Sequence, residues 1–184
     1  VIRGRQIQGN VVGIIGFGNI GRILAAKLKA IGCEIWIYDP YVKKDEVSSA
    51  GYKSKELIEI AKYGNIISLN APGNSKIIDS NWIENAKESQ VIINSARADL
   101  VDEAALAQGL RSGKISKYAA DTVSSEGSDR ISELLTPEFA DKVIVTSHIG
   151  AQTVEAIDAM GKMASENVIA VLNGKSPLNP VNNE

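Results

Sequence analysis

Much of what builds metal centres, covalent frameworks and membrane anchors is missing from this chain. Cys33 is the only cysteine, which excludes an intrachain disulfide and a multi-cysteine metal site; at the start of an apolar run it reads as a small buried hydrophobe, and no metal is expected. His148 is the only histidine. No apolar run approaches the roughly 18 residues of a membrane span, and the opening Val1-Ile2-Arg3-Gly4-Arg5 lacks the apolar core of a signal peptide. An excess of either charge is missing too: the net charge is −2 with Lys and Arg dispersed, which leaves no basic stripe for nucleic acid and no polybasic membrane patch. These absences predict a cytoplasmic protein with no nucleic-acid and no membrane partner. The chain begins without Met, so a fragment of a longer protein is expected.

What is present is a core-forming chain organised around one turn. A length of 184 residues with 44% hydrophobic content suits one domain with a sizeable core. The stretch Val11-Val12-Gly13-Ile14-Ile15-Gly16-Phe17-Gly18-Asn19-Ile20-Gly21-Arg22 joins a short apolar strand to an apolar-periodic helix, expected over about residues 20–31, through glycines at G-x-G-x-x-G spacing. Gly16 permits the tight turn, Gly18 lets backbone amides approach a pyrophosphate, and Gly21 lets the helix pack closely on the strand. A phosphate there would meet a helix N-terminus, where unpaired N–H groups and the positive dipole end favour an anion. Glycines also mark ordinary turns, so context decides. Glu34-Ile35-Trp36-Ile37-Tyr38 reads as a second strand ending in Asp39, where a ribose-binding acid belongs, about 20 residues on.

The rhythm then repeats. Residues 54–60 read as a short capped helix, 65–69 as a buried strand ending at Asn70-Ala71-Pro72-Gly73, and Ser80-Asn81-Trp82-Ile83 as a helix start. Val91-Ile92-Ile93-Asn94 is a strand, Asp102 caps a helix that stops near Gly113, and residues 118–121 and 143–146 supply two more strands. Strands alternating with helices at this spacing predict an α/β, Rossmann-like, doubly wound parallel sheet with helices on both faces. From about Thr153 to Asn173, Val154, Ile157, Met160, Ala164, Val168 and Val171 recur at helical spacing, a stripe that reads as core or subunit interface. Residues 174–184 read as a helix stop and an extended exit or hinge segment.

In open parallel sheets, ligands bind outside the carboxyl ends of the strands, and the polar outliers collect there. Asp39, before Pro40, suits either a turn or a ribose diol; with no arginine close behind it, and only Lys43 and Lys44, NAD is favoured over NADP. Arg97 follows an apolar strand and carries a fork that suits a substrate carboxylate as well as a surface ion pair. Asp121 suits a turn cap, and Glu126 by itself reads as solvated loop charge. His148, beside Ser147 and Ile149-Gly150 at a strand end, is either structural or the only acid/base in the chain that titrates near neutral pH.

Together, Gly16-Phe17-Gly18-Asn19-Ile20-Gly21, Asn94-Ser95-Ala96-Arg97, Leu100-Val101-Asp102-Glu103-Ala104-Ala105-Leu106, Ala120-Asp121, Glu126 and His148-Ile149-Gly150-Ala151 resemble the D-2-hydroxyacid dehydrogenases over nearly the whole chain. The ending His148-Ile149-Gly150-Ala151-Gln152-Thr153, with Asn179-Pro180-Val181-Asn182, is most similar to the D-3-phosphoglycerate dehydrogenase branch, which implies serine biosynthesis. The resemblance implies a catalytic set of Arg97, Glu126 and His148. Arg97 would hold the substrate carboxylate and carbonyl, His148 would exchange the proton on the C2 oxygen, and Glu126 would orient His148 and favour its charged form. Hydride would pass between C2 of a small 2-hydroxy or 2-oxo acid and NAD. Asn19 and Ile20 match pyrophosphate positions, Asp39 the ribose acid, Ala71 an adenosine-pocket position, and Ser95, Ala96, Asp121, Gly150 and Ala151 the nicotinamide side, with Gly16, Gly18, Gly21, Pro72, Arg97 and His148 completing the cofactor-binding set.

The chain departs from the family pattern in places. Asn70-Ala71-Pro72 stands for His-x-Pro with a short loop behind it, Asn19 for a frequent Arg, Ala98 and Asp99 for Gly-Gly, and Gly127 for Pro. In the family a substrate domain of about a hundred residues precedes the cofactor domain, so residues 1–184 are expected to be the NAD-binding domain alone, binding NAD without turnover. The full-length protein is expected to be a homodimer or higher homo-oligomer. Two alternatives stand beside the phosphoglycerate reading: a family member acting on glyoxylate, hydroxypyruvate or lactate, and an NAD-sensing binding protein similar to the corepressors that keep the dehydrogenase motifs.

Overall fold

The computed structural model of the chain describes residues 4–124 and 131–180, in two compact units, residues 1–147 and 148–184. The first unit runs β1 (Val11–Ile15), α1 (Asn19–Ala30), β2 (Glu34–Tyr38), α2 (Lys44–Ser49), β3 (Lys53–Ser54), α3 (Leu57–Tyr63), β4 (Ile66–Leu69), α4 (Ser80–Asn85), β5 (Gln90–Asn94), α5 (Glu103–Ser112), β6 (Ile115–Ala120) and β7 (Val143–Val145). Its strands pair in parallel in the order β3-β2-β1-β4-β5-β6-β7. The order reverses between β1 and β4, where a doubly wound sheet places its ligand crevice.

The apolar runs of β1 and β4 are explained by burial on both faces, whereas Ile93 of β5 and Ile144 of β7 are exposed. In β1, Val12 and Ile14 join one core with Ile35, Ile37, Ala25 of α1 and Val47 of α2, while Ile15 joins another with Ile67, Leu69, Ile60 of α3 and Leu106 of α5. Cys33 lies in the first of these cores, and burial raises the pKa of its thiol. A fully buried amide ties the second core together: Gln90 donates to the carbonyls of Ala61 (3.0 Å) and Gly64 (2.9 Å) and accepts from the Trp82 indole (2.9 Å).

Two elements differ from the sequence expectation. Residues 54–60 are not one helix: Ser54 pairs with Ile37 in edge strand β3, and α3 starts at Leu57 behind a reciprocal capping box of Glu56 and Glu59. A glutamate cap is rarer than Ser, Thr, Asp or Asn, so Ser54 drew the boundary too early. The short helix α2 escaped notice because it buries only Val47, which leaves no periodicity to detect.

Asp102 caps α5 as expected, accepting from the amides of Ala104 (3.1 Å) and Ala105 (3.2 Å), and it also accepts from Lys76 Nζ at 2.9 Å. The Lys76 ammonium, followed by the Ala105 amide, holds the Asp102 carboxyl below the ordinary carboxylate range. Replacing Asp102 by Ala should therefore cost about 0.5–2 kcal/mol in a melt at neutral pH. A carboxyl depressed on folding stabilises above its unfolded range and loses that contribution as pH falls through its folded value. The melting curves of wild type and variant should thus converge in acid; a gap undiminished near pH 2 would exclude the ionised cap as its source.

The second unit is built on α6 (Val154–Leu172), capped by Thr153, whose hydroxyl accepts from the Ala156 amide at 3.1 Å. Behind it the exit segment ties back: Asn179 N donates to Asn167 Oδ1 (2.9 Å) and Asn167 Nδ2 to Asn179 Oδ1 (3.1 Å). Along α6, Val154, Ile157, Met160 and Met163 are exposed. No described helix is long and apolar enough to cross a membrane.

Candidate dinucleotide-binding site

Register alone builds the site. Ile15 lies beside Tyr38 and Leu69, Leu69 beside Asn94, Asn94 beside Ala120, and Ala120 beside Val145. The residues that follow, Gly16, Asp39, Asn70, Ser95, Asp121 and Thr146, therefore form one row along the carboxyl edge of the sheet.

At the switch point Gly16 takes φ 97° and donates its N–H to Tyr38 O at 2.9 Å. A Cβ on Gly16 would lie 2.6 Å from Asn70 backbone atoms, and one on Gly21 would lie 2.1 Å from Gly16 O. These two glycines are required by the packing of the protein on itself. Gly18 is not: a Cβ there meets nothing within 4 Å. Gly18 is also the N-cap of α1, brings no side-chain cap, and is followed by no acid in the first turn. The first-turn amides of α1 thus have no side-chain cap, the reverse of the doubly capped α5, and an anion would complement them.

The turn is braced from behind. The ring of Phe17 is buried, with the Arg22 guanidinium 4.3 Å from its centroid and the Tyr52 ring edge-on at 5.8 Å, and Arg22 pairs with Glu46 at 2.5 Å. Asp39 Oδ2 accepts from Phe17 N at 2.7 Å, and Oδ1 from Tyr41 N at 2.8 Å. Both turn-holding contacts coexist with a ribose role, because a carboxylate has about four acceptor sites. Lys44 is engaged with Glu56 at 2.8 Å.

Two depressions adjoin along the row. One of about 290 Å³ lies between Ile20 of α1, Ala71 and Pro72 after β4, and Ser95, Ala96 and Arg97 after β5. The other, about 170 Å³, is lined by Ser95, Asp121 and Thr146 after the strands and by Ile93, Ala119 and Ile144 within β5, β6 and β7. Buried Asn94 shapes the wall they share, accepting from Ala96 N (3.1 Å) and donating to Arg97 O (2.8 Å). Arg97 is exposed, with one guanidinium N–H on Ala96 O at 2.8 Å. Asp121 donates its N–H to Asn94 O (3.0 Å) and accepts from the Thr146 hydroxyl. Burial pushes the nearby Tyr118 phenol up to about 12, so it stays neutral at working pH.

Glu126 lies outside the described residues. The chain on either side of it converges on one carboxylate: Glu103 accepts from Ser124 N (2.9 Å), Ser124 Oγ (2.7 Å) and Ser132 Oγ (2.6 Å). His148, Gly150 and Ala151 belong to the second unit, where exposed His148 adopts φ 55°, a left-handed conformation uncommon outside glycine. Sequence reasoning missed the bracing by Phe17, Arg22 and Tyr52, the wall-shaping role of Asn94 and the anchoring role of Glu103. The signal for Asn94 was present, a polar side chain ending an apolar strand, but its partners come from the next turn.

An NAD molecule fits this chemistry: an N-terminus of α1 without a side-chain cap for the pyrophosphate, a carboxylate at the end of β2 for a ribose, and a depression between α1 and the turns after β4 and β5 at the switch point. Fold and site together define a dinucleotide-binding domain. Residues 1–150 match the family described as "D-isomer specific 2-hydroxyacid dehydrogenase, NAD binding domain", and the chain belongs to that family. It is 38% identical to a D-3-phosphoglycerate dehydrogenase of Methanocaldococcus jannaschii, over 98% of this chain and 34% of the relative. It is 33% identical to the enzyme of that name from Mycobacterium leprae, over 97% of this chain and 34% of the relative. Among solved structures, D-lactate dehydrogenase with NAD+ from Lactobacillus jensenii matches with a TM-score of 0.84 at 26% identity, covering 98% of this chain and 58% of that one. A glyoxylate reductase from Paecilomyes thermophila matches with a TM-score of 0.85 at 28% identity, covering 97% and 54%. The chain thus spans about a third of the length of the phosphoglycerate dehydrogenases it matches.

Proposed function

We propose that this chain is the cofactor domain of an NAD-dependent D-2-hydroxyacid dehydrogenase of the D-3-phosphoglycerate branch. The observation that carries the reading is the open space at Gly18 before the uncapped start of α1, in line with Asp39, Ser95 and Asp121 along one sheet edge. Asn19 and Ile20 would present amides to the pyrophosphate, Asp39 would accept from the ribose diol, and Ala71 and Pro72 would flank the adenosine. Ser95, Ala96, Asp121, Gly150 and Ala151 would line the nicotinamide side. Bound NAD supplies the hydride acceptor. Arg97 would bind the substrate carboxylate with its fork, and His148 would take the proton from the C2 hydroxyl, with Glu126 orienting it by the family pattern. The proposal extends to serine biosynthesis in the cytoplasm and to a homodimer or larger homo-oligomer of the full-length enzyme.

The test is a panel of D-2-hydroxy acids given with NAD to the full-length protein. The highest kcat/KM is expected for D-3-phosphoglycerate. A preference for lactate or for reduction of glyoxylate would move the protein to another branch, and NADH binding without turnover of any acid would make it a sensor.

Cofactor preference gives a sharper expectation. A 2′-phosphate beside Asp39 would face a like charge in a partly desolvated site, so NADH should bind at least about tenfold more tightly than NADPH. Asp39→Asn should narrow that ratio while keeping an acceptor for Phe17 N; Asp39→Ala would strip it. Equal wild-type affinities in a fluorescence titration would remove Asp39 from the ribose role.

A further inference from the structure

We propose that Asp99 is a positioning residue for the cofactor depression, a clamp that holds the turn after β4 against the segment after β5. The inference rests on the dinucleotide reading of the site and adds a residue to it. Ala71, Pro72 and Gly73 form one wall of the larger depression, and Ser95, Ala96 and Arg97 form the other. Asp99 reaches between the two segments: its Oδ2 accepts from Asn74 N at 2.6 Å.

Three features converge on that bond. Asn74 takes φ 80°, a left-handed conformation shared among described non-glycine residues only with Ser89 and His148. Such a conformation is held in place by its surroundings, and a charge-assisted N–H···carboxylate bond is among the stronger local restraints available. Gly73 lets the carboxylate come close, because a Cβ there would lie 2.8 Å from both Asp99 oxygens. The base from which Asp99 reaches is stiff. It sits in a 3-10 turn, Ala98–Leu100, whose fully buried Leu100 accepts through its carbonyl from Ile77 N (2.8 Å) and Ile78 N (3.0 Å). The backbone thus fixes residues 77–78 to this segment, and Asp99 fixes residue 74. The chain between Pro72 and Ile77 is held at two points, and the wall it forms is set before a ligand arrives, which lowers the ordering cost of binding. The family pattern that the chain resembles commonly has glycine at this position and a longer loop opposite, so the clamp fits the shortened loop of this chain.

A double-mutant cycle on the full-length protein, read by NADH calorimetry and by thermal melting, tests the clamp. Asp99→Ala should weaken NADH about tenfold with the melting temperature nearly unchanged, and Asp99→Asn, which keeps an oxygen acceptor for Asn74 N, should recover most of the loss. Gly73→Ala should mimic Asp99→Ala, because its methyl pushes the carboxylate off Asn74 N. Once Asp99 is Ala, adding Gly73→Ala should cost little more. Wild-type affinity in Asp99→Ala, or fully additive losses in the double variant, would overturn the clamp. If Asp99→Ala fails to fold, Gly73→Ala decides, and unchanged affinity there overturns it equally. Absence of NADH binding by the wild type would instead fell the dinucleotide reading, and the clamp with it.

Discussion

Gly18→Ala in the full-length protein is expected to weaken NADH binding at least tenfold, roughly 1.4 kcal/mol or more, and to leave the melting temperature almost unmoved. Gly18 has φ −75° and ψ −161°, extended backbone that alanine adopts without strain, and its added Cβ touches no protein atom. The methyl therefore costs the fold almost nothing and closes only the space through which a pyrophosphate would reach the first-turn amides of α1. Gly21→Ala should behave in the opposite way. Helix propensity favours alanine over glycine by about 1 kcal/mol, but the new Cβ would sit 2.1 Å from Gly16 O, a backbone atom that cannot swing aside. Overpacking costs about 1–3 kcal/mol, and against a fixed backbone the upper end applies, so the contact outweighs the propensity. Both melting temperature and NADH affinity should fall. Wild-type NADH binding by Gly18→Ala would show that the dinucleotide does not pass this turn, and a raised melting temperature in Gly21→Ala would show that α1 does not pack against it.

His148→Asn in the full-length enzyme should lower kcat by about 10²–10⁴, the usual contribution of a positioned acid or base, and leave NADH affinity near wild type. The proton on the C2 oxygen would have no acceptor, while the cofactor contacts of the first unit would remain. Arg97→Ala should lower kcat and raise KM together, since the proposed fork binds the substrate carboxylate both before and during hydride transfer. Arg97→Lys should not restore it: an ammonium is a point charge that cannot make the two parallel bonds of a guanidinium. Steady-state kinetics with D-3-phosphoglycerate decides. Undiminished kcat in His148→Asn would return His148 to a structural role, and full rescue by Arg97→Lys would reduce Arg97 to a diffuse positive charge.

The parts legible in the sequence are those whose cause is local. Glycine spacing marked the turn at Gly16, apolar runs marked β1, β2, β4 and β5 to within a residue, Asp102 marked a helix start by the side-chain oxygen it offers its own next turn, and apolar periodicity marked α6. Alternation of such elements sufficed for the doubly wound sheet. Parallel register then carried the polar strand ends to one edge.

Only the tertiary structure decided which remote groups meet. Asp39 reads from the sequence as a turn residue or a ribose acid, and in the fold its carboxylate also holds Phe17 N, 22 positions away. Glu103 lies in a helix-start motif, and the fold turns it toward Ser124 and Ser132. Asp99 looked like a departure from a glycine pair and became a bond to Asn74. Ser54 looked like a helix cap and paired in β3. A carboxylate or hydroxyl satisfies itself with whichever donor or acceptor the packed chain brings within about 3 Å. Capping partners lie three residues away and are written in the sequence, whereas partners 20 or more positions away are set by strand order and register.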